Sequence, residues 1–376
     1  MFNLQFHEEA MMSDSIEVSA GLASLPASWY CSQELADLEK RIIFDGGPGY
    51  VGHELMVPNM GDFHTLDWMK NAKALLRNEK GVELLSNICR HRQATMLEGR
   101  GNARNIVCPL HRWTYDLEGK LIGAPHFPEN PCLDLGKFPL SNWNGLLFSG
   151  KRDVNKDLAN FSVFKDLDFS NHVFDRVQID EYDCNWKTFI EVYLEDYHVA
   201  PCHPGLNNFV DCDALSWEFG DWYSVQVVGA RYAKVRAGSP VYRRWQELLL
   251  RYDHGREFTR GAIWVVYYPN IMIEWYPHVL VISTIVPRGP DHCTNIVEFY
   301  YPEDIALFER DLVQAEKEAY EETAVEDAVI CRKMTEGRSS LYGSGKSESG
   351  PYQSPMEDGM KHFHDFLVRE IAPYLE

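Results

Sequence analysis

Two short cysteine–histidine motifs constrain the fold of this chain more than any other feature of its sequence. The first is Cys89-Arg-His91, and the second, after sixteen intervening residues, is Cys108-Pro-Leu-His111. Two thiolates and two imidazoles are the donor set of a tetrahedral zinc site. They are equally the donor set of a two-iron, two-sulfur cluster in which both cysteines bind one iron and both histidines bind the other. Zinc fingers usually pair cysteine with cysteine along the chain, so a mixed pair in each motif favours the cluster.

The segment around these motifs has the pattern of a small antiparallel β domain. Short runs rich in Val, Leu, Ile and Phe are separated by Gly, Asn and Pro, as strands are separated by turns. These runs cover residues 52–57, 82–88, 105–108 and 145–148. We therefore expect an all-β domain over residues 46–158, with each cysteine–histidine pair on a loop between strands.

The remainder of the chain predicts a larger α+β domain over residues 159–376, on which helices of residues 1–45 pack. Its periodicity combines long amphipathic segments with apolar runs of strand length. The expected elements are a helix over 185–198, strands over 263–268, 271–276 and 279–286, and a charged helix over 303–334 that ends near Gly337.

Two histidines of this second domain form a candidate iron site. His198 and His203 are five residues apart with a proline between them, so both imidazoles can face one point. A lone histidine on a helix is more often a satisfied core or surface residue, but a pair with flanking carboxylates is better explained by a metal. A ferrous ion in an oxygenase takes a third, anionic ligand, and this set leaves one face of the ion open for dioxygen and substrate.

These motifs and the residues around them resemble the catalytic α subunits of Rieske non-haem iron oxygenases. The resemblance runs from about residue 25 to the C-terminus. It implies an all-β Rieske domain followed by a helix-grip (START-like) α+β catalytic domain. It also implies that one [2Fe–2S] cluster is bound by the four motif residues, Cys89, His91, Cys108 and His111.

The chain departs from the family pattern close to the cluster. In the family the second motif usually has the form Cys-Pro-Tyr-His-Gly-Trp, and a glycine follows His-Arg in the first. This chain has Leu110 and Arg112 in the second motif and Gln93 in the first. None of the three is a ligand, so these differences affect packing and hydrogen bonding around the cluster, and hence its reduction potential.

The family pattern also supplies the third ligand of the mononuclear iron. It consists of an acidic residue, His three positions later, His five positions after that, and a late Asp followed ten residues on by Gly. These positions fall on Glu195, His198, His203, Asp327 and Gly337. The resemblance thus implies one ferrous ion bound by His198, His203 and Asp327. Since Thr335 stands where the family commonly has Gln, Glu326 and Glu322 remain alternatives to Asp327.

Glu195 is expected to carry electrons between subunits. In the family the matching residue joins the iron-bound histidine to a cluster histidine of the neighbouring subunit, which here would connect His198 to His111. Most members have Asp at this position, whereas Glu occurs in homotrimeric relatives that oxidise carnitine and other quaternary amines. The resemblance therefore implies a homotrimer that uses dioxygen. Electrons would come from NADH through a separate flavin/iron–sulfur reductase, possibly with a ferredoxin, because no GxGxxG or flavin motif follows a strand here.

Charge and hydropathy limit where in the cell the protein is expected and which classes of partner it can bind. The chain has 36 Lys and Arg against 56 Asp and Glu, a net charge of −20, which disfavours binding to nucleic acid. No apolar run approaches the roughly 18 residues of a membrane span. Residues 1–20 lack the basic and apolar regions of a secretory signal, and nine cysteines are an odd number for a disulfide framework. We therefore expect a cytoplasmic protein.

The substrate class stays open in the sequence. Aromatic side chains can bind a quaternary amine through cation–π attraction or line a pocket for an N- or O-methyl compound or an aromatic ring, but in strands they more often form the core. The aromatic residues in question are Trp217, Phe219, Trp222, Tyr223, Trp264, Tyr267, Tyr268, Trp275 and Tyr276. Both mono- and dioxygenation fit the same ligands.

Two alternatives to an oxygenase require only the two cysteine–histidine motifs. A soluble Rieske electron carrier or redox sensor, and a zinc-binding interaction module, each need only the four motif residues. Neither function requires His198, His203 and a late carboxylate, so the second half of the chain argues against both.

Overall fold

A computed structural model describes residues 24–231, 238–346 and 348–375. The expectation about a secretory signal, which concerns residues 1–20, and the first half of the predicted N-terminal segment lie outside the described residues. The strands are β1 (Tyr50–His53), β2 (Asp62–Thr65), β3 (Lys73–Asn78), β4 (Gly81–Ser86), β5 (Arg100–Asn102), β6 (Ile106–Val107), β7 (Thr114–Tyr115), β8 (Leu121–Gly123), β9 (Lys137–Phe138), β10 (Ser141–Trp143), β11 (Leu146–Phe148), β12 (His172–Tyr182), β13 (Val210–Gly220), β14 (Tyr223–Ala230), β15 (Arg260–Tyr267), β16 (Ile271–Tyr276), β17 (Val279–Pro287) and β18 (Cys293–Pro302).

The helices are shorter and more numerous before the last third of the chain. The α-helices are α1 (Ser28–Cys31), α2 (Gln33–Glu39), α3 (Val154–Asp157), α4 (Trp186–Tyr193), α5 (Val199–Cys202), α6 (Leu206–Phe209), α7 (Pro240–Tyr252), α8 (Glu303–Phe308), α9 (Arg310–Gly343) and α10 (Asp358–Ile371). A π-helical turn spans Lys40–Phe44, and 3-10 turns span Glu54–Met56, Asp67–Met69 and Ala372–Tyr374. None of the helices in the described part of the chain combines the length and apolar character needed to cross a bilayer.

Strands β1 to β11 form three small antiparallel sheets. Their strand orders are β1-β11-β10, β5-β2-β3-β4-β9 and β6-β7-β8. Apolar side chains of β3, β4 and β6 to β8, including Leu85, Ile106 and Tyr115, form a core directly beneath the two cysteine–histidine loops. The all-β character predicted for this part of the chain is confirmed.

Strands β12 to β18 form one antiparallel sheet of seven strands, in the order β12-β18-β17-β16-β15-β14-β13. Consecutive residues of β17 point into different cores. Val281 packs with the first half of α9 on one face, and Ile282 packs with α4 and α10 on the other. Because both faces are covered, the inner strands are apolar on both sides, which is why the sequence predicted them so well. The sheet and its long covering helix confirm the α+β, helix-grip class.

The helix predicted over 185–198 is wrong in its second half. Helix α4 ends at Tyr193, because the Glu195 carboxylate accepts the backbone N–H of His198 at 3.0 Å and the N–H of Asp196 donates to the carbonyl of Met356 at 3.1 Å. These local bonds compete with the helical ones. As a result, His198 and His203 lie at the two ends of the short helix α5.

The helix predicted over 303–334 is interrupted at Glu309 and continues past Gly337 to Gly343. A glycine often ends a helix, but the turn after this one is held by Arg338. The Arg338 guanidinium reaches Glu191 at 2.6 Å and the Thr188 hydroxyl at 2.6 Å. Since Glu191 is fully buried, this ion pair fixes α9 against α4.

Candidate metal centres

The two cysteine–histidine loops have nearly the same backbone conformation. The N–H of Gln93 donates to the carbonyl of Cys89 at 3.0 Å, and that of Arg112 to the carbonyl of Cys108 at 3.1 Å. Both residues are left-handed, with φ of 62° for Gln93 and 61° for Arg112. These are the positions where the family pattern has glycine, which adopts this conformation without strain. In this chain the left-handed conformations of Gln93 and of Arg112 each cost about 1 kcal/mol in conformational free energy.

The four predicted cluster residues meet at the tips of these loops. Cys89 and Cys108 are buried, whereas the rings of His91 and His111 lie 4.7 Å apart and His111 is exposed. Two buried thiols beside two neighbouring imidazoles fit the donor set of a two-iron cluster, with both cysteines on one iron and both histidines on the other.

Two aromatic residues support this loop pair. The indole of Trp113 stacks on His91 with ring centroids 4.9 Å apart and an angle of 8° between the planes. The Tyr115 hydroxyl accepts the backbone N–H of Arg90 at 3.1 Å and lies 3.6 Å from the sulfur of Cys89. The hydroxyl proton is therefore free to point at that sulfur.

The second predicted site is fully assembled. Oδ1 of Asp327 lies 2.9 Å from Nε2 of His203 and 3.5 Å from Nε2 of His198. One ligand atom from each of the three residues falls within 4.8 Å of the other two. The two histidines come from the ends of α5 and the aspartate from α9, so the site joins the segment after α4 to the long helix.

Each imidazole is oriented by its own carboxylate. Nδ1 of His198 lies 2.5 Å from Oε1 of Glu195, and Nδ1 of His203 lies 2.7 Å from Oε2 of Glu326. A carboxylate at Nδ1 keeps the proton there and turns the lone pair of Nε2 towards the centre. Two such lone pairs and an aspartate oxygen around one point are suited to binding a cation. The donor set therefore fits a ferrous ion.

The pKa values of His198 and Asp327 show that this site stabilises positive charge. Burial lowers the pKa of His198, but its hydrogen bonds with Asp327 and Glu195 outweigh burial and raise the value to about 10. Burial raises the pKa of Asp327, yet its hydrogen bonds with the two histidines bring the value below its ordinary range. The chain alone thus attracts a proton where the ion would sit.

The two alternative carboxylates have other positions. Glu326 is engaged with Nδ1 of His203, and Glu322 lies one helical turn away, with Oε1 buried beside the backbone of Gly205. The structure thus brings Asp327, and neither alternative, to the Nε2 atoms of the histidines.

A cavity extends from these three residues between α9 and the seven-stranded sheet. Of the aromatic residues named from the sequence, Trp264 and Tyr276 line it, whereas Tyr267 and Tyr268 pack in the core on the opposite face of the sheet. Sequence reasoning missed its most unusual wall residue, Glu274. The available indication was a single charged residue inside the apolar run of β16.

Comparison with known families agrees with both centres. The model of the Rieske [2Fe–2S] domain matches residues 48–139, and the model of the ring-hydroxylating α-subunit catalytic domain matches residues 167–372. The fold and the two sites therefore define an oxidoreductase with a [2Fe–2S] cluster and a mononuclear iron. The chain belongs to the Rieske-type ring-hydroxylating oxygenases, as a catalytic α subunit. This membership excludes an electron carrier without oxygen chemistry.

Individual relatives are similar over almost their whole length. Putrescine 2-hydroxylase of Ralstonia nicotianae is 56% identical over 358 residues, which cover 95% of this chain and 98% of the relative. Putrescine 2-hydroxylase of Bordetella bronchiseptica is 49% identical, over 97% of this chain and 89% of its own. A solved quaternary ammonium Rieske monooxygenase, studied for carnitine oxidation, superposes with a TM-score of 0.73 at 19% identity over 93% of this chain and 95% of its own. At that identity the likeness concerns the fold.

Proposed function

We propose that this chain hydroxylates a short aliphatic diamine, with putrescine as the leading substrate and its C2 carbon as the position attacked. One observation carries the proposal: the cavity that ends on the three iron-binding residues is lined by five carboxyl groups, Glu195, Asp196, Glu274, Glu316 and Asp327. No lysine or arginine lines the described part of this cavity. Such a cavity suits a cationic, otherwise apolar molecule, and the names of the two putrescine 2-hydroxylases to which this chain is similar point the same way.

In the proposed reaction a C–H bond of the substrate becomes C–OH. Dioxygen supplies the hydroxyl oxygen, and its second atom leaves as water after two electrons and two protons have been added. His198, His203 and Asp327 would hold the ferrous ion. The bound ion supplies the place where dioxygen is activated, and the cluster held by Cys89, His91, Cys108 and His111 supplies the second electron.

The protein's own contribution is to orient the ligands and to connect the two centres. Glu195 holds Nδ1 of His198, and the exposed edge of His111 is accessible to another subunit. These positions support the electron bridge between Glu195 and the neighbouring subunit's cluster, and with it the homotrimer. The remaining parts of the proposal are an NADH-dependent flavin/iron–sulfur reductase as electron donor and a cytoplasmic location. It also divides the chain into an N-terminal segment (1–45), a Rieske domain (46–158) and a catalytic domain (159–376).

A quaternary amine is the second candidate substrate. Glu195 in place of the usual aspartate and the fold of the carnitine-oxidising enzyme favour it. Aromatic ring hydroxylation and dioxygenation fit poorly with the hydroxylase and monooxygenase names of the relatives above.

The direct test is product formation by the purified holoenzyme with a compatible reductase and NADH. Putrescine, choline, carnitine and naphthalene are offered separately, and products are identified by mass spectrometry. We expect 2-hydroxyputrescine and little product from the other three compounds. Turnover of a quaternary amine without turnover of putrescine would replace the diamine by the second candidate.

The ligand set has its own test. The unaltered protein should hold about three irons and two acid-labile sulfides per chain, since a cluster contributes two of each. His203→Ala and Asp327→Ala should each reduce the iron to about two and leave the sulfide unchanged. Unchanged iron in Asp327→Ala would assign the third ligand to another carboxylate.

A further inference from the structure

The far end of the cavity holds a buried carboxylate with no cationic partner. Glu274 lies on β16, is 2% exposed and lines the cavity wall. Among the described residues, no lysine, arginine or histidine forms an ion pair with it. Leaving an ionised carboxylate unpaired in an apolar interior costs several kcal/mol, so such groups are normally matched by a cation or kept neutral.

Tyrosine hydroxyls hold this carboxylate in place. Oε2 of Glu274 accepts the Tyr276 hydroxyl at 2.8 Å, and Tyr276 in turn accepts the indole N–H of Trp264 at 2.8 Å. Oε1 has only a long contact with the Tyr320 hydroxyl, at 3.4 Å. Oε1 therefore keeps acceptor capacity that no donor in the described part of the chain fills at normal hydrogen-bond distance.

The lining of the cavity contains further polar atoms that lack partners. Oδ1 of Asn295 and Oδ2 of Asp196 are buried and have no hydrogen-bond partner among the residues that the structure describes, and both residues are 3% exposed. Both residues line the cavity. Acceptors of this kind on a cavity wall suit a ligand that brings its own N–H groups.

Glu316, the other acidic residue near Glu274, is already stabilised by a nearby cation, Arg176. Glu316 accepts the Tyr301 hydroxyl, which also receives a hydrogen bond from Arg176 at 3.3 Å. The attraction of Arg176 acts on the Glu316 carboxylate, whereas no cationic side chain lowers the pKa of Glu274. This difference singles out Glu274.

The distance between Glu274 and the iron site fits a short aliphatic substrate. Tyr320 and Asp327 are seven residues apart on α9, about 10 Å along the helix axis, with Thr323 and Ala324 between them on the cavity side. The space between Glu274 and the metal ligands is thus that of a few methylene groups.

We infer that Glu274, oriented by Tyr276 and Tyr320, binds the ammonium group of the substrate that lies farther from the iron, and thereby sets which carbon is presented for hydroxylation. The inference rests on the proposed function and deepens it. Glu274 does not touch the reacting carbon; it determines specificity by charge and by its distance from the metal.

The main test uses Glu274→Gln, which keeps the shape and the tyrosine hydrogen bonds but removes the charge. Loss of one partner of a buried charge pair costs at least about 2 kcal/mol, so the KM for putrescine should rise about 30-fold or more. The matched control is Glu298→Gln. Glu298 is also a buried glutamate that accepts two tyrosine hydroxyls, at 2.7 Å and 2.6 Å, but it does not line the cavity. Its substitution should leave the KM unchanged.

A second variant tests the role of distance and guards against a simple folding defect. Glu274→Asp keeps the charge but withdraws it by one methylene. It should shift the preference between 1,4-diaminobutane and 1,5-diaminopentane about 10-fold towards the longer diamine, since one methylene in a fitted pocket is worth about that factor. A purely structural role for Glu274 would not change the preferred chain length.

The outcomes separate the inference from the function on which it rests. If the unaltered enzyme does not turn over putrescine, the proposed function fails. If it does, and Glu274→Gln with full iron content keeps the same KM, or Glu274→Asp keeps the same chain-length preference, the assignment of Glu274 is overturned.

Discussion

Oε2 of Glu326 lies 2.7 Å from Nδ1 of His203, while Asp327, the next residue along the chain, places Oδ1 2.9 Å from Nε2 of the same ring. Two adjacent residues of α9 thus contact the two nitrogens of one imidazole. In the proposed iron site, the first would fix the tautomer and the second would complete the ligand set. Glu195 plays the orienting part for His198, so both histidines are held before an ion arrives.

Glu326→Gln should weaken iron binding without removing it. An amide at Nδ1 is a poorer acceptor, and loss of such a partner typically costs 10- to 100-fold in metal affinity. Iron retention during dialysis against a chelator measures the effect. Glu318→Gln, which alters an exposed pair with Arg244 on the same helix, is the control and should retain iron normally. Equal retention in both variants would contradict the orienting role.

Glu195→Gln should keep both metal centres and lose turnover, because it would interrupt the proposed bridge between subunits while the proposed ligands stay in place. Metal and sulfide analysis checks the first part, and reoxidation of the reduced cluster in the presence of substrate and dioxygen checks the second. Full activity in this variant would remove Glu195 from the electron path.

Tyr115→Phe should lower the reduction potential of the cluster, on the order of tens of millivolts, because hydrogen bonds to the sulfurs stabilise the reduced state. The hydroxyl lies 3.6 Å from the Cys89 sulfur. Redox titration followed by electron paramagnetic resonance gives the value. Tyr374→Phe, at an exposed site, serves as the control and should not shift it. A shift of the same size in the control would argue against the hydrogen bond.

Gln93→Gly and Arg112→Gly should each stabilise the fold by up to about 1 kcal/mol, because glycine removes the strain of a left-handed residue. The neighbouring Arg92 is not left-handed, so Arg92→Gly should destabilise it instead. Thermal unfolding of the cluster-loaded protein compares the three variants. Destabilisation in all three would mean that side-chain contacts at the loops outweigh backbone strain.

The contribution of Glu298 to the stability of the folded chain should fall as the pH rises from about 4.5 towards 7. Burial raises the pKa of Glu298 to about 7, above that of the unfolded chain, so its stabilising contribution is complete at low pH and is lost as pH rises through the folded value. The shift corresponds to at most about 3 kcal/mol. In urea unfolding, the loss of stability caused by Glu298→Gln should be larger at pH 5.5 than at pH 8, because the unaltered glutamate stabilises the fold only while it is protonated. An equal loss at the two pH values would exclude Glu298 as a source of pH dependence.

The ligands could be predicted from the sequence because their spacing is local. Cysteine and histidine two or three residues apart, twice in the chain, indicate two loops that carry ligands, and His198 and His203 are brought together by five residues of chain. The inner strands were equally accessible, since burial on both faces leaves an unbroken apolar run. Asp327 came from the resemblance alone, because a carboxylate on an acidic helix has no local feature that distinguishes it.

The parts that escaped prediction depend on contacts between distant segments. The end of α4 is set by a bond from Asp196 to Met356, and the continuation of α9 past Gly337 by the ion pair of Arg338 with Glu191. Glu274 belongs to the same group, because its importance lies in the absence of a cation around it, which only the packed structure of the described residues reveals.

The most direct test of the account is a single turnover of the fully reduced holoenzyme with putrescine and ¹⁸O₂, followed by mass spectrometry of the product. We expect hydroxyputrescine with one labelled oxygen, formed as the cluster is reoxidised. Reoxidation of the cluster without labelled product from putrescine would contradict the assignment of this chain as a diamine hydroxylase, and two labelled oxygens would contradict monooxygenation.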